Sequence, residues 1–367
     1  MAARLELHAE LQRLLASAVA EGITPSAVCA VAVDGERLPV ITAGDAVRFG
    51  ADGVELPEGL RTAADAGTYY DLASVTKVFT AVTALALVDD GVLALDEHVP
   101  VPLGRSGVTL RHLLTHTSGL PGIWAGWRAP LAAGLPFDRR ALIADLLALA
   151  PAHPPGTRFE YSCAGFNTIM AVAELATGRP RPELVTEHVL ARLPGAGGGE
   201  LTYFPDPVRS AATEHQPDLG RGMIRGTVHD EAAWSLGGAS GNAGMFGTAA
   251  GLLEFGEALR AGLPGILSPG LAEAMWTEQL PAVLGESLST SGADYGHGLG
   301  LRIGQAAWMG SPGARGHNGF TGTSLLVDRD AGISVALLSN RVHPRRELSD
   351  FQPVRLAVSR AVYSALS

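Results

Sequence analysis

Lysine is almost absent from this chain. Of its 27 basic residues, 26 are arginine and one, Lys77, is lysine. Cysteine is nearly as scarce: Cys29 and Cys163 are the only two in 367 residues, which excludes a disulfide framework and a CxxC metal pair. Cys29 lies in the apolar run SAVCAVAV and reads as a small buried hydrophobe. No stretch reaches the ~18 uncharged apolar residues that a membrane span needs. Excess positive charge is missing too. The formal net charge is −10, whereas a nucleic-acid partner calls for a basic patch. What remains is an ordinary globular composition, 47% apolar and 17% charged, in a chain long enough to hold a core without metal or disulfide staples. The N-terminal MAARLELHAELQRLLASAVAEG carries charges throughout. It spaces Leu5, Leu7, Leu11, Leu14, Leu15 and Val19 at roughly helical intervals, so it predicts an amphipathic helix rather than a signal peptide. With no leader and no span, a cytoplasmic location is expected.

Codon drift in a GC-rich genome accounts for the arginine bias, and it sharpens the question of Lys77. Arginine keeps its proton in proteins and lysine can lose it. Lys77 follows Ser74 by three positions, in DLASVTKVFT.

The periodicity around that pair predicts a helix over 71–89, with Asp71 as N-cap and Val75, Val78, Phe79, Val82 and Leu85 on one stripe. Ala73, Ala81, Ala84 and Ala86 leave no clear polar face, so the helix is expected to be buried. Upstream, 26–34 and 38–43 read as strands joined by the Asp34-Gly35 turn. From about 90 to 290 the signals are mainly helical, at 110–120, 139–150, 167–178 and 248–262. The stretch 193–230 reads as loop-rich and opens on the glycine run LPGAGGGE. Strands return at 297–303, 323–330 and 332–340, the last two meeting at Asp330-Ala331-Gly332, and a helix closes the chain at 352–366. Strands at both ends and helices between them indicate an α+β fold. The expected architecture is one antiparallel sheet flanked by terminal helices, with a large helical insertion. The expected division is 1–70 plus 295–367 for the sheet region and 71–294 for the helical region, with the active site at their interface.

On a helix, positions i and i+3 are neighbours on one face. Ser74 then sits in a first turn, where free N–H groups favour a developing alkoxide. Burial of Lys77 is expected to lower its pKa, and a readily deprotonated amine beside a hydroxyl makes an activated nucleophile. The structural alternative is a buried serine beside a lysine reaching for solvent.

S-x-x-K is the signature of penicillin-binding proteins and serine β-lactamases. Two further motifs follow in order. FEYSCAGFN supplies Tyr161-Ser162-Cys163 where that superfamily has Tyr-x-Asn. GHNGFTGTSLLV supplies His317-Asn318-Gly319, just before a predicted strand, where it has Lys-Thr-Gly or His-x-Gly. LRHLLTHTSGLPG (110–122), GTVHDEAAWSLGGASGNAGMFGTA (226–249) and SNRVHP (339–344) add to the likeness. The chain resembles the serine β-lactamase/penicillin-binding-protein superfamily over nearly its whole length, in its class C β-lactamase-related esterase and transacylase branch. The resemblance implies a β-lactamase/transpeptidase-like fold and an acyl-enzyme on Ser74. Lys77 and Tyr161 would share the base work, and the backbone N–H groups of Ser74 and Phe320 would hold the oxyanion. His317 would titrate near neutrality and donate a hydrogen bond to Tyr161 or the substrate. Cys163, Asn318 and Gly319 would face the substrate, and no cofactor is implied.

Other features have plainer readings. Trp124 and Trp127 either line an acyl pocket or cap the core. His112 and His116 are spaced for a metal pair, but no HExxH or carboxylate pattern completes it, so no metal is expected. GGASGNAGMFG lacks a lysine and is read as a loop near the site entrance rather than a phosphate loop. Cys163 in place of asparagine cannot hold a substrate amide, and the missing third-motif lysine removes a cation for a substrate carboxylate. Both point away from β-lactams and D-Ala peptides and toward a small-molecule ester or thioester. Water, an amine or an alcohol remains open as acceptor, and oligomeric state stays open. Retention of Ser74, Lys77, Tyr161 and His317 together speaks against a catalytically silent binding protein.

Overall fold

A run as apolar as SAVCAVAV can be hidden only in the middle of a sheet. In the computed structural model of the chain, which describes residues 2–100, 107–195, 200–290, 292–347 and 349–366, it forms strand Ser26–Val33 with all eight residues buried. Ile333–Ser339 pairs antiparallel on one side, with Val28 opposite Leu338 and Val31 opposite Val335. Ile41–Val47 pairs on the other side. Among the described residues the sheet has nine strands. Its order is Gly296–His297, Arg302–Ile303, Arg315–Asn318, Ser324–Asp328, Ile333–Ser339, Ser26–Val33, Ile41–Val47 and Thr62–Ala63, with Glu36–Arg37 as an extra partner of Ser26–Val33. These pairings are antiparallel, and the two ends of the chain meet at the sheet centre.

Alternate residues of Ser26–Val33 serve two cores, as the period of a strand requires. Ala27, Cys29, Val31 and Val33 pack with Leu7, Leu11 and Leu15 of helix Ala2–Ala20 and with Val354, Val358 and Val362 of helix Gln352–Ser364. Burial pushes the Cys29 thiol up to about 12, which leaves it inert. Val28, Ala30 and Ala32 face the other way, toward helix Ala249–Arg260 and the buried helix Thr76–Asp89. Phe255 stacks on Phe79 there, centroids 4.0 Å apart. The helical region lies beyond this face.

Several elements depart from the sequence expectation for local reasons. The Asp34-Gly35 hairpin forms with both residues at positive φ, 51° and 79°, as a type I′ turn demands. The strand after it is interrupted and resumes at Ile41. The helix expected over 71–89 begins as a 3₁₀ turn, Ala73–Val75, because Ala73 takes φ +46°. Asp71 therefore ends a short strand instead of capping a helix. The helix expected over 110–120 stops at Leu114, and His116 takes φ +57°. HGLGLRI is not one strand but two, folded about a turn closed by Gly298 N–H to Leu301 O at 2.8 Å. A Cβ on Gly300 would stand 2.4 Å from that of Ala81. Within 193–230 a hairpin forms, Ala212–Gln216 against Gly222–Arg225; residues 196–199 of the glycine run lie outside the described residues. Among the described residues no helix is long and apolar enough to cross a membrane.

Candidate active site

Ser74 stands where the chain turns from strand to helix. The left-handed Ala73 before it is a strained conformation for a residue with a Cβ, so the surroundings must hold it. Asp71 Oδ1 accepts the Ala73 N–H at 2.8 Å. Thr321 Oγ1 donates to Asp71 O at 2.7 Å and Thr323 Oγ1 to Leu72 O at 2.9 Å. Gly319 makes this approach feasible, since a Cβ there would lie 2.2 Å from Thr323 Oγ1 and 2.6 Å from Leu72 O. The turn at 319–322 is thereby clamped against the serine turn.

Lys77 is fully buried. Its Nζ donates to Ser74 Oγ at 3.0 Å, to Asn242 O at 3.2 Å and to Cys163 Sγ at 3.5 Å. Three acceptors match the three N–H donors of an ammonium. Burial alone pushes this ammonium's pKa down, but Cys163 and Tyr161 outweigh it and the net direction is upward. The expected lowering is thus reversed by partners that sequence proximity does not reveal. Tyr161 lies with its ring centroid 5.0 Å from Lys77 Nζ and 4.7 Å from Arg302 Cζ. Its Oη is buried without a hydrogen-bond partner.

Cys163 opens helix Cys163–Thr177, capped by Ser162, whose Oγ accepts the Gly165 N–H. One turn on, Asn167 Oδ1 accepts the Asn242 N–H at 2.9 Å, and Asn242 Nδ2 donates to Asp230 Oδ2 at 3.1 Å. This places the Asn242 carbonyl under Lys77. GGASGNAGMFG is therefore floor, not entrance: Ser240 and Asn242 are buried.

His317 lies in strand Arg315–Asn318 with its ring 5.9 Å from that of Tyr161. Its Nδ1 is 2.8 Å from Asn318 O. A carbonyl only accepts, so Nδ1 carries the proton and Nε2 is a bare acceptor, buried and unpartnered. Burial first, then Arg302 and Lys77, hold its pKa well below the ordinary value. His317 is a neutral acceptor, contrary to the donor near neutrality expected from sequence.

Ser74, Tyr161, Asn318, Gly319 and Phe320 line one cleft of about 360 Å³, together with Arg302, Arg341, Arg355 and Asp350. Arg302 Nη1 donates to Asn318 Oδ1 at 2.9 Å. Neither Trp124 nor Trp127 lines this cleft. Trp124 is core, packed with Leu142 and Leu146, its Nε1 donating to Asp145 Oδ2 at 2.7 Å. Trp127 is half-buried against Arg128.

The Beta-lactamase family model matches residues 11–359. The chain belongs to this family. Esterase EstB from Burkholderia gladioli is 34% identical over 81% of this chain and 82% of its own length. A putative D-alanyl-D-alanine carboxypeptidase from Escherichia coli K12 is 26% identical over 81% and 75%. Among solved structures, EstCE1, described as a hydrolase with promiscuous acyltransferase activity, superposes with a TM-score of 0.74. It is 23% identical and covers 99% of this chain and 100% of that one. The simvastatin synthase LovD from Aspergillus terreus gives 0.70 at 20% identity, covering 96% and 97%. The fold is accordingly the β-lactamase/transpeptidase-like α+β fold, and the chain is an enzyme of the serine hydrolase and acyltransferase class.

Within this beta-lactamase-family site, sequence reasoning missed Arg302, Asn167, Asn242 and the role of His116. The signal for His116 was its place in LRHLLTHTSGL. Its Nδ1 accepts the Ser162 N–H at 3.0 Å and so fixes the loop carrying Tyr161. His112 instead caps its own helix, accepting the Thr109 N–H. The two do not share a helical face because the helix ends between them. Among the described residues no group of three or more His, Cys, Asp or Glu is arranged to hold a metal ion.

Proposed function

We propose that the chain is a serine carboxylesterase that works through an acyl-enzyme on Ser74. The observation that carries this reading is the triple engagement of Lys77 Nζ by Ser74 Oγ, Asn242 O and Cys163 Sγ. It holds a charged lysine against the nucleophile. With Lys77 keeping its proton, the base in this reading is Tyr161 as the phenolate: its oxygen takes the Ser74 proton as Oγ attacks the acyl carbon, and gives it to the leaving group as the bond to that group breaks. Lys77 Nζ and Arg302 Cζ flank the tyrosine ring, 5.0 Å and 4.7 Å from its centroid. The Ser74 and Phe320 N–H groups, neither of which has an acceptor within the described residues, receive the oxyanion. His317 contributes position, not a titrating proton. We further propose that the sheet region, 1–70 plus 295–367, and the helical region, 71–294, meet at this site; the cleft draws its lining from both.

An ester substrate is supported by the 34% identity to an esterase. One observation favours a second reading, substrates that carry a carboxylate. Three guanidiniums line the cleft against one carboxylate, and so supply positive charge where the third motif has no lysine. Acyl transfer to an amine or alcohol uses the same acyl-enzyme and differs only in what reaches it.

The test is p-nitrophenyl butyrate followed by intact mass. A p-nitrophenol burst and one butyryl adduct are expected, both lost in Ser74→Ala. No burst and no adduct in the native enzyme would sink the reading. A matched ester ending in a carboxylate, and added amines or alcohols, decide between the substrate and acceptor classes.

A further inference from the structure

Beside the candidate site runs a buried polar chain that none of these steps uses. His229, from GTVHDEA, is 4% exposed. Its Nε2–H donates to Glu214 Oε2 at 2.9 Å. Glu214 is held in turn by Arg346 Nε, 2.9 Å from each oxygen, and by Gln216 Nε2 at 2.8 Å. The His229 backbone N–H donates to Asp71 Oδ2 at 2.6 Å. The other Asp71 oxygen takes the N–H of Ala73, the left-handed residue before Ser74. The His229 ring also stacks on Phe320, centroids 5.8 Å apart and planes 22° off parallel. Arg341 completes the clamp, its Nε donating to Phe320 O at 2.8 Å.

One residue thus touches both turns that present the unpartnered N–H groups of Ser74 and Phe320. Stability does not account for it. Phe320 is 48% exposed, so the stack hides little apolar area, and a buried ion pair is weak evidence for stability. Orientation does account for it. Thr321 and Thr323 anchor the turn after Phe320, but Gly319 and Gly322 flank it, with Gly322 at φ +113°, and the His229 ring is the plate that lies against Phe320 itself. We propose that His229, held by Glu214, is a positioning residue that aligns the Ser74 and Phe320 N–H groups on the oxyanion, an inference that rests on the acyl-enzyme reading above.

His229→Gln keeps a donor for Glu214 and loses the ring, His229→Phe keeps the ring and loses the donor, and His229→Ala loses both. Glu214 retains Arg346 and Gln216 in each. Losing an oxyanion donor outright lowers kcat by about 100- to 1000-fold, and misaligning donors that remain lowers it less. With p-nitrophenyl butyrate, and sites counted by the burst, His229→Ala is expected to lose about tenfold or more in kcat. KM should stay within about twofold, since a transition-state contact alone is weakened. His229→Phe and His229→Gln should each recover part of the loss. Affinity for a trifluoromethyl ketone, which forms an anionic adduct, should fall in step with kcat. A merely structural role lowers the active fraction and leaves kcat per titrated site unchanged. If that is seen in His229→Ala, or in the two milder variants should His229→Ala not fold, the positioning role is overturned while the acyl-enzyme reading stands. A native enzyme without a Ser74 adduct would overturn both.

Discussion

Lys77 shows what a single side chain decides here. Its ammonium is fully buried and spends its three donors on an oxygen, a carbonyl and a sulfur. A guanidinium is planar, larger and carries its donors in a fixed fork. Lys77→Arg is therefore expected to keep the charge and lose the geometry, lowering kcat/KM at least ~100-fold, the scale of losing acid–base assistance. The variant's initial rates on p-nitrophenyl butyrate check this, and near-native activity would mean that the ammonium's placement against Ser74 is not needed. The pairing of Ser74 with Lys77 was legible because three residues on a helical turn is a local relation. Tyr161 and His317 were legible through motif order. What stayed hidden depends on distant chain segments. Arg302 over Tyr161, Asn242 beneath Lys77 and His229 behind Phe320 have no spacing that signals them. The same limit explains the two electrostatic reversals. Burial of Lys77 could be read from its apolar neighbours, but Cys163 and Tyr161, which hold its proton on, lie over 80 positions away. The donor expected of His317 became an acceptor through one contact, Nδ1 to the adjacent carbonyl.

At the scale of elements, uniform runs were read well and broken ones badly. SAVCAVAV and GISVALLSN are near-continuous apolar runs, and each holds a central strand, Ser26–Val33 and Ile333–Ser339. HGLGLRI contains two glycines, and the second turns the chain back where no Cβ fits. The start of the helix at Thr76 was missed because Ala73 adopts a backbone conformation imposed by Asp71 and the 319–322 turn, not by its own preference. The two faces of the sheet give a separable test. Leu11 is fully buried between helix Ala2–Ala20 and the sheet, on the face away from Ser74. Leu11→Ala is expected to destabilise the protein by about 2–5 kcal/mol. The burst amplitude per folded molecule should be unchanged. Denaturant unfolding and burst titration on one sample check both halves, and a lost burst in a fully folded variant would mean that the two faces are not independent.

Over the whole molecule, acid stability is expected to follow histidines that fold in their neutral state. Burial lowers the pKa of His116 and His317 well below the ordinary value, His297 to about 3 and His343 to about 4. These are depressed folded-state values for a base, so the unfolded chain binds protons first as pH falls. The stability they confer is complete above the unfolded value of about 6.5 and is lost progressively below it, until each folded value is reached. One pH unit below 6.5, each such histidine has given up on the order of 1 kcal/mol, so the four together cost several kcal/mol, a large share of the stability of many proteins. Asp71 works against this trend, because burial raises its carboxyl and protonation relieves it. Glu214, held low by His229 and Arg346 against the effect of burial, adds its loss only below the ordinary carboxylate range. Thermal unfolding between pH 7.5 and 5.5 is therefore expected to show a Tm falling by roughly 10 °C, taking about 2 °C per kcal/mol for a chain of this size. Proton uptake on unfolding near pH 5.5 should be close to the number of these buried imidazoles. His297 is the cleanest probe, since its Nδ1 contact to Gly298 O is replaceable by an asparagine amide. His297→Asn should flatten the pH dependence by about a quarter of that loss, whatever it does to stability at pH 7.5. A Tm that holds steady from pH 7.5 to 5.5 would mean that these imidazoles gain protons without unfolding the chain, and that the site around Tyr161 is open to solvent protons.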